Sequence, residues 1–380
     1  MDRILAPASG NPSSTAGSRT LYAERLLAGA GQRTDAILTG NGTTALWAAL
    51  TALGLPAHTP VLYPDLTAEA AVNAAVFAGL MPVFADVQPD TAMPSGADLA
   101  VSAAVTGAGA MVPTRLFGRQ GRLPTPAPEC PQIIDAAQCG VAASDLAGGL
   151  AVVVSFGSGK QFDLGGGGAV LTDDRAFARQ LRALVASLDS DPVRAARARE
   201  NLLADLVELS RVFRPGSPAH LEAWRSSLYK HRRGYLRPAR PDLADRVAAA
   251  LAGRADARRI RRARGAMLRE ALAGLEGIQL LDCGPADVPW RVSFRAPWIR
   301  DRVLRALTRA GFGPSLLFAP VHRITGRPDH EYPRATALSQ DLVNLDPDCL
   351  GDDPGAVIRR LQAALTPVAA ALMEQEQVEA

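Results

Sequence analysis

A mostly parallel β-sheet covered by helices, followed by a smaller α+β domain, is the fold this sequence predicts. Three observations predict it. Between residues 35 and 175, short apolar runs alternate with longer segments of helical spacing. Runs that are apolar throughout, without in-out alternation, belong to strands buried on both faces. From about 175 to 235 the pattern turns helical and arginine-rich, and the proline-punctuated "YLRPARPDL" (235–243) then reads as a linker or crossover. A length of 380 residues accommodates two domains, and the division is placed at 1–234 and 235–380.

The elements follow in order. Residues 1–30 read as a loop and a short helix. "DAILTG" (35–40) is a buried strand, and "TTALWAALTALG" (43–54) has helical spacing that ends at Gly54. "VLYP" (61–64), "AEAAVNAAVFAG" (68–79) and "PVFADV" (82–87) give strand, helix, strand. "GAMVPT" (109–114), "QIIDAA" (132–137), "AVVVSF" (151–156) and "GAVLTD" (168–173) are further strands. Past the linker, a long helix spans 243–275. Strands near 278–282 and 290–295, a helix at 299–310 and a last helix near 353–373 complete the small domain.

Composition narrows the function classes. Hydrophobic content of 48%, charged content of 21% and a net charge of +3 describe a globular protein without an electrostatic case for nucleic acid or a membrane surface. No apolar run is long enough to span a bilayer. The start, "MDRILAPASGNPSSTAG", lacks the apolar core of a signal peptide, so a cytoplasmic location is expected. Cys130, Cys139, Cys283 and Cys349 form no CxxC pair and read as reduced thiols. The five histidines form no metal pattern, and "DPDCLGD" (346–352) lacks the oxygen ligand a calcium loop needs before its glycine. The basic run "RADARRIRRARG" (254–265) has no interleaved aromatics and reads as a solvated helix face.

Lysine usage draws attention to one position. The chain has 39 arginines and two lysines, Lys160 and Lys230. Arginine stays protonated, whereas a lysine can lose its proton and act as a nucleophile. Lys160 follows the strand "AVVVSF", where sheet enzymes bind ligands, and glycines flank it. "GSGK" is not a nucleotide loop: the first glycine of that motif would fall at Val154, and Gln161 follows the lysine. The glycine run 165–168 precedes a strand and so does not make a dinucleotide fingerprint. In "LTGNGTTALWAAL" a strand, a glycine turn and a helix start give an anion site or an ordinary N-cap, with the hydroxyls of Thr43 and Thr44 as extra donors. Asp135 ends an apolar strand and needs a partner there, either a structural cation or a protonated ring nitrogen, and Gln138 lies one turn on. A phosphate cradle, a buried acid and a lysine at strand ends are together what pyridoxal phosphate requires.

The same stretches carry a family resemblance. "GNGTTALWAALTALGL", "VLYPDLTAEAAVNAAVFAGLMPVFADVQPDT", "VPTRLFG", "IIDAAQ", "SFGSGKQFDLGGGGAV" and "ATALSQDLVNLDPD" are similar to motifs of the DegT/DnrJ/EryC1/StrS aminotransferases, the sugar-aminotransferase branch of fold type I pyridoxal-phosphate enzymes. The resemblance implies a large domain with a mostly parallel, seven-stranded-type sheet and a small C-terminal α+β domain. It implies a homodimer and transamination from glutamate or glutamine to a keto-sugar linked to a nucleotide. It makes Lys160 the Schiff-base lysine, sets Asp135 against the pyridine nitrogen and Gln138 against the ring hydroxyl. Gly42, Thr43 and Ser155 would hold the phosphate.

The chain also departs from that pattern. Ala68 stands where the family has an aromatic residue stacked on the cofactor ring. Gly166 replaces an acid, and Arg115 replaces the histidine of V-P-x-H-L. "GYLRPARPDL" stands in place of the loop that reaches a partner subunit's phosphate, with Arg237 or Arg240 as substitutes. Arg115, Arg237 and His322 are the candidate substrate contacts. Two alternatives stand beside transamination: other pyridoxal-phosphate chemistry on an amino acid, and a catalytically degenerate partner subunit.

Overall fold

The computed structural model describes residues 16–121, 130–213, 217–285 and 287–379, with side chains through residue 368. The loop expected before residue 16 lies outside them. The first half runs α1 (Ala16–Gly31), β1 (Asp35–Thr39), α2 (Gly42–Ala52), β2 (Pro60–Pro64), α3 (Glu69–Phe77), β3 (Met81–Ala85), α4 (Gly96–Thr106), β4 (Ala110–Met111), β5 (Ile133–Asp135), β6 (Ala151–Ser155) and β7 (Gly168–Thr172). Helices α5 (Arg175–Ala186), α6 (Pro192–Val212) and α7 (Pro218–Lys230) follow. After the irregular stretch at 235–242 come α8 (Leu243–Leu272), β8 (Gln279–Leu280), β9 (Val292–Arg295), α9 (Arg300–Arg309), α10 (Pro333–Asp341), β10 (Leu342–Leu345) and α11 (Pro354–Glu379).

Strands β3, β2 and β4 pair in parallel, as do β5 and β6, while β7 runs antiparallel to both β6 and β1. Single parallel bridges, Met111 with Gln132 and Thr114 with Asp135, join β4 to β5. The order is therefore β3-β2-β4-β5-β6-β7-β1, one mixed sheet in which only β7 is reversed. Its strands are apolar throughout because both faces are covered. On one face Ile37, Tyr63, Ile133 and Val153 pack against Leu46 and Leu50 of α2 and Val72 of α3. On the other, Leu38, Ile134, Val152 and Leu171 pack against Leu27 of α1 and Val247 of α8.

A second core joins β9, α9, β10 and α11 to the end of α8 through Leu268 and Leu272. Helix α8 is thus shared: Leu243, Val247 and Leu251 belong to the large sheet's core and Leu268 and Leu272 to the other. The basic run on α8 is not simply a solvated face. Arg258 pairs with Asp145 near the large sheet, while Arg261 pairs with Asp346 and Asp348 and Arg264 with Asp348. The stretch set aside as a calcium loop therefore supplies acids to an arginine clamp. Among the described residues no helix is long and apolar enough to cross a membrane, and no cluster of His, Cys, Asp or Glu could hold a metal.

Candidate active site

The carboxyl ends of β1, β5 and β6 converge on one rim of the sheet, where open α/β folds place ligands. A cavity of about 170 Å³ lies there, lined by Gly42, Thr43, Ala68, Asp135, Ser155 and Lys160, among others.

One wall is the start of α2. Asn41 caps it: its Oδ1 accepts from the Thr44 N–H at 2.7 Å and its backbone carbonyl from the Ala45 N–H. That leaves the N–H groups of Gly42 and Thr43 at the cavity, at the positive end of the helix. Glycine at 42 is required by a close approach: a Cβ there would lie 2.9 Å from the Ser155 Cβ. Gly42→Ala is therefore expected to push α2 off β6. We expect a stability loss of about 1–3 kcal/mol by overpacking and weaker phosphate binding, read by urea titration and by equilibrium dialysis of pyridoxal phosphate.

The glycine run follows the loop that carries Lys160 and leads into β7. Gly165, Gly166 and Gly167 have φ of +63°, +142° and +101°, conformations that side chains resist. Gly168 then starts β7 within reach of the Asn41–Gly42 backbone, where a Cβ would lie 2.7 Å from the Asn41 carbonyl carbon.

Lys160 is carried on the loop between β6 and this run. Asp163 holds the loop by accepting from the Gly159 and Gly165 N–H groups, each at 2.7 Å. Gln161 Nε2 donates to the carbonyls of Gln138 and Val288, and Trp290 Nε1 donates to the Gly159 carbonyl. The Lys160 Nζ lies 4.6 Å from the centre of the Trp290 ring. Burial pushes the Lys160 pKa below its ordinary value; Asp135 opposes this and Arg291 reinforces it. Asp135 is 5% exposed and its Oδ1 accepts from the Ala137 N–H at 2.9 Å. Burial pushes its pKa up, against that hydrogen bond and the Lys160 charge. Each group thus pays a desolvation cost that their attraction does not cancel, and they form no ion pair among the described residues.

Several candidates lie elsewhere. Thr44 is fully buried, and its hydroxyl faces the 235–237 segment, donating to the Tyr235 carbonyl and accepting from the Arg237 N–H. Gln138 is outside the cavity lining; its Oε1 accepts from the Phe117 N–H at 2.7 Å. Arg115 is not a substrate contact: its guanidinium is buried and donates to the carbonyls of Ser144, Asp145 and Ala147. His322 is not one either, because it is fully buried and both ring nitrogens are engaged, Nδ1 with Asp65 and Nε2 with Asp329. Arg237 lies behind the α2 start, its carbonyl accepting from the Gly40 N–H and its Nε buried without a partner. Burial, Arg199 and Arg240 all lower its pKa. Trp290, Gln161 and Asp163 were not anticipated. Only Asp163, an acid beside a glycine run, carried a local signal.

The residues fit pyridoxal phosphate: two N–H groups and a serine hydroxyl for a phosphate, a buried acid that forms no ion pair among the described residues, and an amine of lowered pKa. The described cysteines are all unpaired.

Residues 6–192 match the sequence model of the DegT/DnrJ/EryC1/StrS aminotransferase family. No curated protein matches the chain in sequence. Similar solved structures include DesV of S. venezuelae, 22% identical over 92% of this chain and 89% of that one, with a TM-score of 0.70. DesI, solved in the presence of its TDP-sugar product, is 23% identical over 96% of this chain and 88% of that one, TM-score 0.69. 3-Amino-5-hydroxybenzoic acid synthase is 21% identical over 94% and 91%, TM-score 0.66. At these identities the likeness carries the fold, that of fold type I pyridoxal-phosphate enzymes.

Proposed function

We propose that this chain, of which residues 6–192 match the DegT/DnrJ/EryC1/StrS aminotransferase family, moves an amino group from an amino acid to the ketone of a sugar-type acceptor. Glutamate or glutamine is the donor, and the setting is sugar or natural-product biosynthesis. The donor leaves as its 2-oxo acid and the acceptor as an amine, so no outside oxidant is consumed. The observation that carries the reading is that a buried Asp135, in no ion pair among the described residues, and a buried amine, Lys160, line one cavity at an anion-binding helix start.

When bound, the cofactor supplies an aldehyde for the amine and a ring that takes up electron density. The rest falls to the protein. The Gly42 and Thr43 N–H groups and the Ser155 hydroxyl hold the phosphate. Asp135 keeps a positive charge on the ring nitrogen. Lys160 Nζ, its pKa lowered by burial, moves the proton off the donor's α-carbon. Trp290 and Asp163 orient the loop that carries it. We read residues 1–234 as the cofactor domain and 235–380 as the small domain, the chain working as a homodimer with its sites at the interface.

The test is the absorbance spectrum of the protein with pyridoxal phosphate, before and after L-glutamate. Conversion of the lysine-bound form to the pyridoxamine form is expected. If the cofactor binds and no amino donor changes it, transamination is wrong.

A further inference from the structure

A second cavity, of about 510 Å³, adjoins the first. The two share a short segment at the start of α3: Thr67 and Glu69 line the second cavity, while Ala68, Ala70 and Ala71 line the first. Consecutive residues from Thr67 to Ala70 therefore line alternate cavities. Ala68 is the position where the resemblance calls for an aromatic ring, and this chain has only a methyl group there. The volume falls within the range of small-molecule sites and is three times that of the cavity holding Lys160.

The lining is hydrocarbon and aromatic. Leu221 and Trp224 come from the start of α7, and Leu317, Phe318, Pro320 and Ile324 from the segment before α10. Phe318 is pinned by stacking on Phe117, with ring centres 6.0 Å apart and planes 15° off parallel. Charge is scarce and unsuited to an anion. The arginine that lines the cavity, Arg323, is committed to Asp329, its Nε and Nη2 each donating at 2.8 Å to one carboxylate oxygen. Glu69, exposed at the cavity, would repel a phosphate. A nucleoside diphosphate seated here would find the lining guanidinium already committed and a carboxylate beside it.

We propose that this cavity seats the acceptor, and that the acceptor is a ketone whose non-reacting body is uncharged and aryl or alkyl, not nucleotidyl. The ketone reaches the Lys160 side past Ala68, and Trp224 and Phe318 flank the body. The inference rests on the amino-transfer reading: it keeps the amino transfer and puts an aryl or alkyl ketone in place of the sugar-type acceptor given above. Trp224 contributes as a flat, stiff surface that loses little conformational entropy on binding, as aromatic side chains do at ligand sites.

The test is calorimetric titration of the cofactor-loaded protein with phenylacetone and, separately, with thymidine diphosphate. Phenylacetone binding is expected, weakened about tenfold or more by Trp224→Ala and restored by Trp224→Phe, with no competition from thymidine diphosphate. A thermal melt of each variant separates lost binding from lost folding. In turnover, Trp224→Ala should raise the ketone's KM more than it lowers kcat. Three outcomes overturn the proposal: thymidine diphosphate competes for the site; phenylacetone fails to bind while glutamate still converts the cofactor; or Trp224→Ala alters only self-association, which makes the cavity a contact between copies of this chain. If glutamate fails to convert the cofactor, the amino-transfer reading falls first, and the titration still reports on the cavity.

Discussion

Lys160→Ala is expected to abolish covalent capture of pyridoxal phosphate and to lower kcat by at least about 10²–10⁴-fold, the range for loss of a positioned proton-transfer group. Lys160→Arg is expected to fare no better. It keeps the positive charge beside Trp290 but cannot release the proton. The other lysine offers no rescue, because Lys230 is largely exposed and pairs with Asp205 at 3.2 Å. The direction of the Lys160 pKa gives a second readout. Burial holds it below the ordinary lysine value, so the neutral amine persists to lower pH than in a solvated lysine. Cofactor capture, followed by absorbance across pH, should slow only below the range where an exposed lysine would protonate. An Asp135→Asn variant removes the opposing charge and should shift that onset further down. If Lys160→Ala still forms the lysine-bound band, the assignment of the amine is wrong. If the onset sits where free lysine titrates, burial is not tuning it.

The sheet was readable because its signal is local. "AVVVS" and "GAVLT" are apolar at every position since β6 and β7 are covered on both faces, and period and length alone identify such runs. The lysine, the acid and the helix start were readable for a related reason: each sits at a strand end, and a strand end is a sequence position. Helix α4 was passed over although its signals are present, Ser95 and Asp98 forming a capping box and Gly107 closing the helix in the left-handed region. Only Leu99 of that helix is buried, so it lacks the apolar period that marks its neighbours. Strand β4 is two residues long where six were expected, because past Met111 the chain keeps only single bridges to β5.

Polar partners were the least readable part. His322 and Arg115 are residue types that bind substrates, and each stood in a segment with a motif. Both instead satisfy buried groups far away in the chain. Arg115 donates to carbonyls some thirty residues on, and His322 meets Asp65 across a separation of 257 residues. A buried polar side chain must find a partner, but the sequence does not record which one. Trp290 beside Lys160 illustrates the same limit, since nothing local to "VPWRV" distinguishes a ring under a reactive amine from one in a core.

The Asp65–His322 pair carries the second large effect. Asp65 leaves the end of β2 just before the segment that separates the two cavities. Its Oδ2 meets His322 Nδ1 at 2.6 Å and its Oδ1 accepts from the His322 N–H at 2.7 Å, with both side chains fully buried. On the far side, His322 Nε2 meets Asp329 at 2.9 Å, and Tyr332 stacks on the ring at 4.6 Å. Carboxylates only accept, so two ring donors or a protonated Asp65 are needed to satisfy all three groups. Removing one member strands the others: His322→Ala should cost about 3–5 kcal/mol, the scale for breaking a buried pair, read as a drop in the urea midpoint. Its sensitivity to pH has a definite sign. Burial raises the Asp65 pKa from 3.8 to about 6, against its bonds to His322, with Asp86 adding to the rise. Between about pH 4 and pH 6 the native state holds a proton that the unfolded chain has lost, so stability falls as pH rises through that window and levels off above it. The arithmetic gives about 3 kcal/mol across it. Asp329, whose pKa the Arg323 and His322 hydrogen bonds depress, adds a small slope of the opposite sign near pH 4, where its unfolded form is still partly protonated, and this cancels in a difference between variants that both keep Asp329. The wild type minus Asp65→Asn difference in unfolding free energy should therefore slope downward from pH 4 to pH 6 and be flat above. A flat difference throughout would mean that Asp65 does not titrate in the fold. A slope of the opposite sign would mean that the pair is held as an ion pair strong enough to outweigh its burial.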